Sequence, residues 1–350
     1  MSSFLLVRLG ALGDIVHAIP VAAALRRAFP SARIDWLVSA KHREILDLVP
    51  AISRRIVTDD WRSSSGAERA KSLHVLAAIR ALRAARYDVA IDLQGLIKSA
   101  LIARATGARQ IIGFSKKYVR EPFASVLYTD VHDPGGEGMY ARSETRHVVE
   151  INLGLLKVLG LTVIAPEFPM DPVTSDAALK MSEETRGRYA LLNPGAGWPN
   201  KRWPPARLAS LASALHARHR MMSVVLWGPG ERPLAEEVVA GASGAALLSP
   251  QTSIADVVAL ARGAAVMVSG DTGPTHIGAA VGTPIVGLYG PTRPERNGPW
   301  LPDDVIVSRA GVCECHHLRS CRRERMCLLD IEVDEVLGAV ERRLSAGRRG

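Results

Sequence analysis

Short apolar runs alternate with helical patterns along the chain, and this alternation limits the available folds more than any other feature. In the first half, the strand patterns begin at Phe4, Arg33, Tyr87 and Gln110. A second series of the same kind begins at Tyr189. Strands that alternate with helices form a parallel sheet with helices on both faces. The sequence therefore predicts an α/β protein.

The length of 350 residues favours two domains, each able to bury its own core. Three prolines between residues 165 and 174 indicate a hinge. We expect an N-terminal domain at 1–165, a linker at 166–185, a second domain at 186–332, and a C-terminal helix and tail at 333–350. Domains of this kind bind ligands in a cleft at the carboxyl ends of their strands.

The net charge of +9 indicates an acidic partner, which could be nucleic acid, an anionic lipid headgroup or a phosphorylated substrate. Aromatic residues make up only 5% of the chain, and no basic patch is interleaved with them. This composition argues against a nucleic-acid partner. No apolar stretch reaches the ~18 residues of a membrane span, and the run at Phe4–Val7 is too short for a signal peptide. We therefore expect a cytoplasmic protein with reduced cysteines.

The segment Ser269–Ala280, Ser-Gly-Asp-Thr-Gly-Pro-Thr-His-Ile-Gly-Ala-Ala, follows an apolar run and leads into a predicted helix at Thr275–Val281. A turn of this composition would direct backbone N–H groups, threonine hydroxyls and a helix N-terminus at one point. That arrangement suits an anion such as a diphosphate. The alternative is a tight strand-to-helix turn with an aspartate cap. His276 in this segment suits either a ligand contact or a hydrogen-bonded core position.

A second turn, Gly10-Ala11-Leu12-Gly13-Asp14, follows the first strand and opens into a helix. Its two glycines let another molecule approach the backbone. Asp14 is either the N-cap of that helix or a general base, and the sequence leaves both readings open. The turn lacks the Gly-x-Gly-x-x-Gly spacing of a dinucleotide site.

Taken together, five segments in this order resemble glycosyltransferase family 9, the lipopolysaccharide heptosyltransferases. They are Gly10–His17, Asp92–Ser99, Asn193–Ala196 with Lys201–Pro204, Gly270–His276 and Val286–Thr292. The segment Arg120–Ser125 is most similar to the heptosyltransferase I branch of that family. The resemblance extends over nearly the whole chain.

The resemblance implies a GT-B fold, in which two Rossmann-like domains face each other across a cleft. It implies an inverting transfer of heptose from ADP-heptose to the Kdo region of lipid A, in the synthesis of the lipopolysaccharide inner core. It also implies a cytoplasmic enzyme held peripherally at the inner membrane. Asp14 matches the family's base, and Lys201 matches the residue that holds the donor phosphates. The donor-binding turn is matched by Asp271, Thr272, Gly273 and His276.

Other donor-site positions depart from the family pattern. Ala196 and Gly197 stand where heptosyltransferase I often has threonines, so that here only the backbone of Gly195, Ala196 and Gly197 could contact phosphate. Glu231 is the nearest candidate for an acidic ribose contact, one position later than expected. No Asp-x-Asp pair is present, so no metal cofactor is expected, and Lys201 with a helix N-terminus would take its place. Lys201 could also be an ordinary surface lysine.

The acceptor carries phosphates and sugar carboxylates, and cations are expected to bind them. The candidate acceptor residues are Gly13, Arg55, Arg62, Lys98 and Arg120. Arg120 could instead pair with its neighbour Glu121.

All four cysteines fall within fifteen residues, at Cys313, Cys315, Cys321 and Cys327. Thiolates suit Zn²⁺ or an iron–sulfur cluster, although this spacing is not that of a zinc ribbon. A structural metal, a disulfide and free thiols all remain open.

Three further functions fit the same architecture. They are a family 9 transferase with another nucleotide sugar or acceptor, a nucleotide-sugar epimerase, and a non-catalytic protein that binds nucleotide sugars.

Overall fold

The computed structural model describes residues 2–58, 79–141, 143–162, 165–313, 315, 318–321 and 323–346. The chain divides into two compact units, Met1–Asp171 and Pro172–Gly350. The division lies inside the range 166–185, for which a linker was expected.

The first unit contains a sheet of six parallel strands in the order β3-β2-β1-β4-β5-β6. Every residue of its central strand β1 is buried, because a parallel sheet is covered on both faces. The register places Leu6 opposite Trp36 of β2 on one side and Ile91 of β4 on the other. The strands are β1 Ser3–Val7, β2 Arg33–Ser39, β3 Arg54–Thr58, β4 Val89–Asp92, β5 Gln110–Phe114 and β6 Asp130–His132.

The helices of this unit are shorter than the sequence pattern predicts. The sequence pattern predicts one helix from Asp14 to Phe29, whereas the structure has two, with His17 and Ala18 between them. The second begins afresh because Pro20 lies in its first turn and has no N–H to donate to the preceding turn. The α-helices are α1 Leu12–Val16, α2 Ile19–Ala28, α3 Ile97–Ala105 and α4 Val148–Gly154, and residues 79–84 are also helical.

The glycines and the proline of the segment Asp130–Arg142 predict a loop, but its first three residues form the edge strand β6. This strand pairs with β5, where Ile112 lies opposite Asp130. Edge strands are short and partly solvated, and Val131 at its centre is indeed exposed. The apolar pattern that identifies a strand is therefore missing from this segment.

The second unit repeats the architecture of the first. Its six strands are parallel and lie in the order β12-β11-β10-β7-β8-β9. Read from the other edge, this is the strand order of the first unit, and it is the Rossmann order. The strands are β7 Tyr189–Asn193, β8 Met222–Val225, β9 Ala246–Leu248, β10 Val266–Gly270, β11 Ile285–Tyr289 and β12 Val305–Ser308. The edge strand β12 was not predicted, and among its residues only Val307 is fully buried.

Seven helices flank this sheet among the described residues. They are α5 Asp176–Glu184, α6 Pro205–His219, α7 Arg232–Gly241, α8 Ile254–Gly263, α9 Gly273–Ala280, α10 Pro294–Asn297 and α11 Val333–Ala346. Helix α5 lies in the range expected for the linker, where Ser175 caps it and also bonds to Asp256 at 2.6 Å. Helix α11 buries Val336 and Val340 in the core of the unit.

The strand order determines where ligands can bind. In each sheet, the first three strands extend from the centre to one side, and the last three extend to the other side. This reversal opens a crevice at the carboxyl ends of the two central strands. These strands are β1 and β4 in the first unit, and β7 and β10 in the second. The four turns singled out in the sequence follow these four strands.

Candidate functional site

In the second unit, the turns after β7 and β10 are joined by one buried asparagine. The side-chain amide of Asn193 donates to the hydroxyls of Ser269 and Thr272 at 3.0 Å each, and contacts the Gly195 carbonyl at 3.3 Å. Sequence reasoning used Asn193 only as part of a motif. Its structural role could have been predicted, because an amide side chain at the end of an apolar strand is buried and needs hydrogen-bond partners.

Hydroxyl groups shape the turn after β10. Thr275 contacts the Ser269 hydroxyl at 2.7 Å and donates to the Gly270 carbonyl at 2.5 Å, and the Thr272 and Thr275 hydroxyls lie 2.9 Å apart. Helix α9 begins at Gly273, with Thr272 as its N-cap. The Thr272 hydroxyl is engaged by its neighbours and does not cap the first helical turn. Among the described residues no side chain caps this turn, and an uncapped helix N-terminus suits an anion.

A buried charge cluster lies beside this helix. One carboxylate oxygen of Asp271 is 2.6 Å from Nζ of Lys201, and the other is 3.0 Å from Nε2 of His276. Burial alone would raise the pKa of Asp271, but the hydrogen bond from His276 and the charge of Lys201 outweigh it and hold this pKa far below its usual range. The carboxylate is therefore ionised.

The contacts of this cluster bear on three alternatives left open by the sequence. Lys201 is not a surface lysine, because its side chain is only 14% exposed and lies 4.4 Å from the ring centre of Trp198. Asp271 is not the cap of α9, since Thr272 holds that position. His276 is buried and hydrogen-bonded.

Gly270 lets the backbone of Lys201 approach the end of β10. A Cβ atom on this glycine would lie 2.8 Å from the Lys201 carbonyl oxygen. The short 3₁₀ helix Pro199–Lys201 thus packs directly on the end of β10, next to Asp271.

Glu231 lies against the turn after β7, although 36 residues separate it from Gly195. Its carboxylate accepts the Gly228 N–H at 3.1 Å, and a Cβ atom on Gly195 would overlap with it. Next along the turn, the Arg202 guanidinium donates to the Ala196 carbonyl at 2.8 and 3.0 Å. The Gly197 position is open, because no described residue other than its chain neighbours has an atom within 4 Å of a Cβ placed there. The structure thus brings the predicted donor residues of this unit together at one crevice.

In the first unit, Asp14 is not an N-cap. Ala11 occupies the N-cap position, and Asp14 is the third residue of α1. Its Oδ2 accepts the Ala11 N–H at 3.1 Å and lies 2.7 Å from the guanidinium of Arg8. The carboxylate is 44% exposed, so it is both oriented and open to a ligand. Gly13, just before it, is buried.

The turn after β4 is built around a buried aspartate. Asp92 accepts hydrogen bonds from the Gln94 N–H at 2.9 Å and from the hydroxyls of Ser99 and Tyr128 at 2.8 Å each. Burial, the larger effect, raises the pKa of Asp92 despite these bonds. The turn is joined to the Asp14 turn, because Leu9 N–H donates to the Gln94 side chain at 3.0 Å.

Lys98 and Arg120 are both exposed and lie at this same turn. The Arg120 N–H donates to the Gly95 carbonyl at 3.1 Å, and Lys98 is in the first turn of α3. Glu121 accepts the Ile97 N–H at 2.7 Å, so that its carboxylate caps this helix. Two of the predicted acceptor cations are therefore neighbours in the fold.

Another acceptor candidate, Arg55, lies apart from these two residues. Arg55 lies on β3, two strands from β1, and forms an ion pair with Asp47. Arg62 lies outside the described residues.

The four cysteines form one cluster in the second unit. Cys313, Cys315 and Cys327 are buried, and the sulfur atoms of Cys315 and Cys321 are 3.2 Å apart. All four are free cysteines, not disulfides. Burial raises the pKa of the Cys313, Cys321 and Cys327 thiols, which favours their protonated form.

Within the described part of the chain, no group of three or more histidine, cysteine or acidic side chains is arranged to hold a metal ion. His316 and His317, which lie between the cysteines, are outside the described residues. Among the helices that the structure describes, none combines the length and the apolar character needed to cross a bilayer.

The cysteine-rich segment also contacts the donor-site loop. The Asn200 side chain donates to the Leu318 carbonyl at 2.9 Å, and the guanidinium of Arg319 lies 5.9 Å from the ring centre of Trp198.

Comparison with known proteins agrees with this architecture. Lipopolysaccharide heptosyltransferase 1 of Pseudomonas aeruginosa is 29% identical over 320 residues, which cover 88% of this chain and 84% of that protein. The protein of the same name from Escherichia coli K12 is 29% identical over 336 residues, covering 95% and 97%. The solved structure of E. coli heptosyltransferase WaaC with ADP matches with a TM-score of 0.76 and 25% identity, over 97% of this chain and 99% of that one.

The fold class is thus that of the GT-B glycosyltransferases, with two Rossmann-like α/β units. The model of glycosyltransferase family 9 (heptosyltransferase) matches residues 75–326. The chain belongs to glycosyltransferase family 9, the heptosyltransferase family.

Proposed function

We propose that this protein transfers heptose from ADP-heptose to the Kdo region of lipid A with inversion of the anomeric centre. Family membership and the heptosyltransferase relatives support the reaction class. The observation that carries the residue assignments is the pair formed by Asp271 and Lys201 beside the open N-terminus of α9.

On the donor side, the diphosphate would bind at this helix N-terminus and beside Lys201. Negative charge builds on the diphosphate as its bond to the sugar breaks, and both groups stabilise that charge. Asp271 keeps Lys201 in place, while His276 keeps Asp271 in place. The carboxylate of Glu231, at the Gly195 turn, is the proposed contact for a donor hydroxyl.

On the acceptor side, Asp14 is the proposed general base. The acceptor hydroxyl oxygen attacks the anomeric carbon, its proton passes to Asp14, and the electron pair of the broken bond leaves with ADP. The exposed carboxylate suits this task, because a hydroxyl group can reach it. Lys98 and Arg120, at the neighbouring turn, are the proposed contacts for the acceptor's anionic groups.

Ala196 and Gly197 differ from the threonines that the resemblance to heptosyltransferase I led us to expect, so the donor sugar has a test of its own. A screen of nucleotide sugars against Kdo-lipid A, read by product mass, tests it. ADP-heptose should give one added heptose. A product from another nucleotide sugar alone would instead indicate a different family 9 transferase.

The base assignment is tested by Asp14→Ala, with Asp303→Ala as a control at an exposed aspartate of the second unit. Asp14→Ala should abolish transfer and leave ADP affinity within about twofold of wild type, because the base does not hold the nucleotide. Retained turnover in Asp14→Ala would remove the base assignment.

We also propose that the protein acts at the cytoplasmic face of the inner membrane as a peripheral protein. Its net charge of +9 favours anionic lipid. Co-sedimentation with vesicles containing 30% anionic lipid, compared with neutral vesicles, tests this. Equal recovery with both would contradict it.

For the cysteine cluster, we propose a structural metal, whose binding would displace the protons that burial favours on the thiols. Its support is the gathering of all four cysteines in one place. Mass-spectrometric metal analysis of the purified protein should find about one metal ion per chain. Protein that is folded, active and metal-free would contradict this.

A further inference from the structure

Arg8 is the residue of the first-strand turn whose role the proposed reaction leaves open. It follows β1 directly, and its backbone is fixed on both sides of the residue. Its N–H donates to the Leu37 carbonyl at 3.2 Å, and its carbonyl accepts the Trp36 indole N–H at 3.2 Å. These bonds fix the backbone of Arg8 against β2, so the point from which its side chain extends is set by the central strands of the sheet.

The guanidinium of Arg8 has two partners on different turns. One nitrogen lies 2.7 Å from Oδ2 of Asp14, and another donates to the Leu93 carbonyl. Leu93 follows β4 and begins the turn that leads to Lys98. One buried cation thus joins the turn of the proposed base to the turn of a proposed acceptor contact.

This arrangement is not the one that stability alone would select. The Arg8 side chain is only 13% exposed, whereas the carboxylate it binds is 44% exposed. Its Nε is buried and has no hydrogen-bond partner among the described residues. A buried arginine that leaves one donor unused while it holds an open carboxylate is better explained by that carboxylate's task.

We propose that Arg8 is a positioning residue for Asp14. Together with the Ala11 N–H, it holds Oδ2, so that the other oxygen, Oδ1, is the one presented to the acceptor hydroxyl. Through the Leu93 carbonyl it also sets the distance between the base and the acceptor turn. This inference rests on the proposed role of Asp14.

The geometry predicts a specific kinetic result. Arg8→Met keeps the length and much of the apolar bulk of the side chain but removes both polar contacts. A carboxylate that is free to rotate loses its attack geometry, which costs on the order of 100-fold in rate. We expect kcat to fall by about that factor, while KM for ADP-heptose and the Kd for ADP stay within about threefold of wild type.

Three further measurements separate positioning from a general loss of structure. Arg8→Lys keeps the positive charge but lacks the planar guanidinium group, so its kcat should lie between those of Arg8→Met and wild type. Guanidinium at tens of millimolar, below its denaturing range, should partly rescue Arg8→Met. In the Asp14→Asn background, Arg8→Met should cause little further loss, because both changes act on one group.

The matched control is Arg27→Met, which removes an exposed arginine paired with Glu167 in the same unit. It should leave kcat unchanged. Arg8→Met with wild-type kcat would overturn the inference, as would a further large loss in the Asp14→Asn background. If Arg8→Met does not fold, Arg8→Lys decides the matter, and wild-type kcat in that variant would overturn it as well.

The measurements distinguish a wrong role for Asp14 from a wrong role for Arg8. If Asp14→Ala retains turnover, the proposed function of Asp14 is wrong. If Asp14→Ala is inactive but Arg8→Met is fully active, only the role of Arg8 is wrong.

Discussion

Gly195 and Gly197 are two glycines of one turn that the structure distinguishes sharply. A Cβ atom on Gly195 would overlap with the carboxylate of Glu231, whereas a Cβ atom on Gly197 would have no atom within 4 Å from the described residues beyond its chain neighbours. Gly195→Ala must therefore displace Glu231, and Gly197→Ala need displace nothing in the protein. The two variants carry the same chemical change two residues apart, so that each controls for the other.

The cost to stability should be small, because the displaced group is the end of a flexible side chain. Glu231 would lose the hydrogen bond from the Gly228 N–H, which is worth about 1 kcal/mol here because the carboxylate is partly exposed and water competes for it. For a unit of this size, that corresponds to a decrease of roughly 2–4 °C in the melting temperature. Gly197→Ala should melt within about 1 °C of wild type.

The cost to donor binding should be larger, if Glu231 contacts a donor hydroxyl as proposed. A hydrogen bond to a charged group contributes about 1.5–3 kcal/mol, which corresponds to roughly a 10- to 100-fold loss of affinity. Gly195→Ala and Glu231→Ala should therefore weaken ADP-heptose binding by similar factors in calorimetry. The double variant should be no weaker than Glu231→Ala, because the alanine at 195 then has nothing to displace.

Two results would refute this reasoning. Equal affinities and melting temperatures in Gly195→Ala and Gly197→Ala would show that Glu231 does not occupy the space beside Gly195. A double variant much weaker than Glu231→Ala would show that the new methyl group obstructs the ligand directly.

Three other predictions follow from the charge clusters. Lys201→Ala should weaken ADP binding by about 10- to 100-fold in calorimetry through the loss of a charge-assisted phosphate contact, while the exposed Lys180→Ala should leave it unchanged. Trp198→Ala should weaken ADP binding by only about two- to fivefold, since a cation–π contact of about 0.5–1 kcal/mol holds Lys201; an unchanged Kd would contradict that role. Arg146 and, to a lesser degree, Tyr118 hold the pKa of Glu144 to about 2 against the opposing effect of burial, below the value near 4.5 of a free glutamate. The stabilisation of the folded protein by these contacts is complete above about pH 4.5 and is lost as the pH falls toward 2. In urea unfolding, Glu144→Gln should therefore be less stable than wild type by about 2–3 kcal/mol at pH 7, and this difference should shrink toward pH 2.

The local pattern of the sequence was sufficient to predict most of the secondary structure. Apolar runs such as Tyr189–Asn193 identified most strands, because strands buried on both faces are continuously apolar. The edge strand β6 was missed for the converse reason, since it is partly solvated and carries no such run. The edge strand β12 was missed although Val305, Ile306 and Val307 form a short apolar run. The helix break at His17 and Ala18 was also missed, although Pro20 was visible in the sequence.

The sequence by itself determined two parallel α/β units and the turns that carry glycine, threonine and aspartate after their strands. These features depend on residues close together in the chain. Only the tertiary structure decided which turns are neighbours, because the strand order that places β1 beside β4 and β7 beside β10 is set by packing across the whole sheet. The same is true of the contacts between Arg8 and Asp14, between Lys201 and Asp271, and of Glu231 beside Gly195, since they depend on side-chain directions that no local pattern specifies.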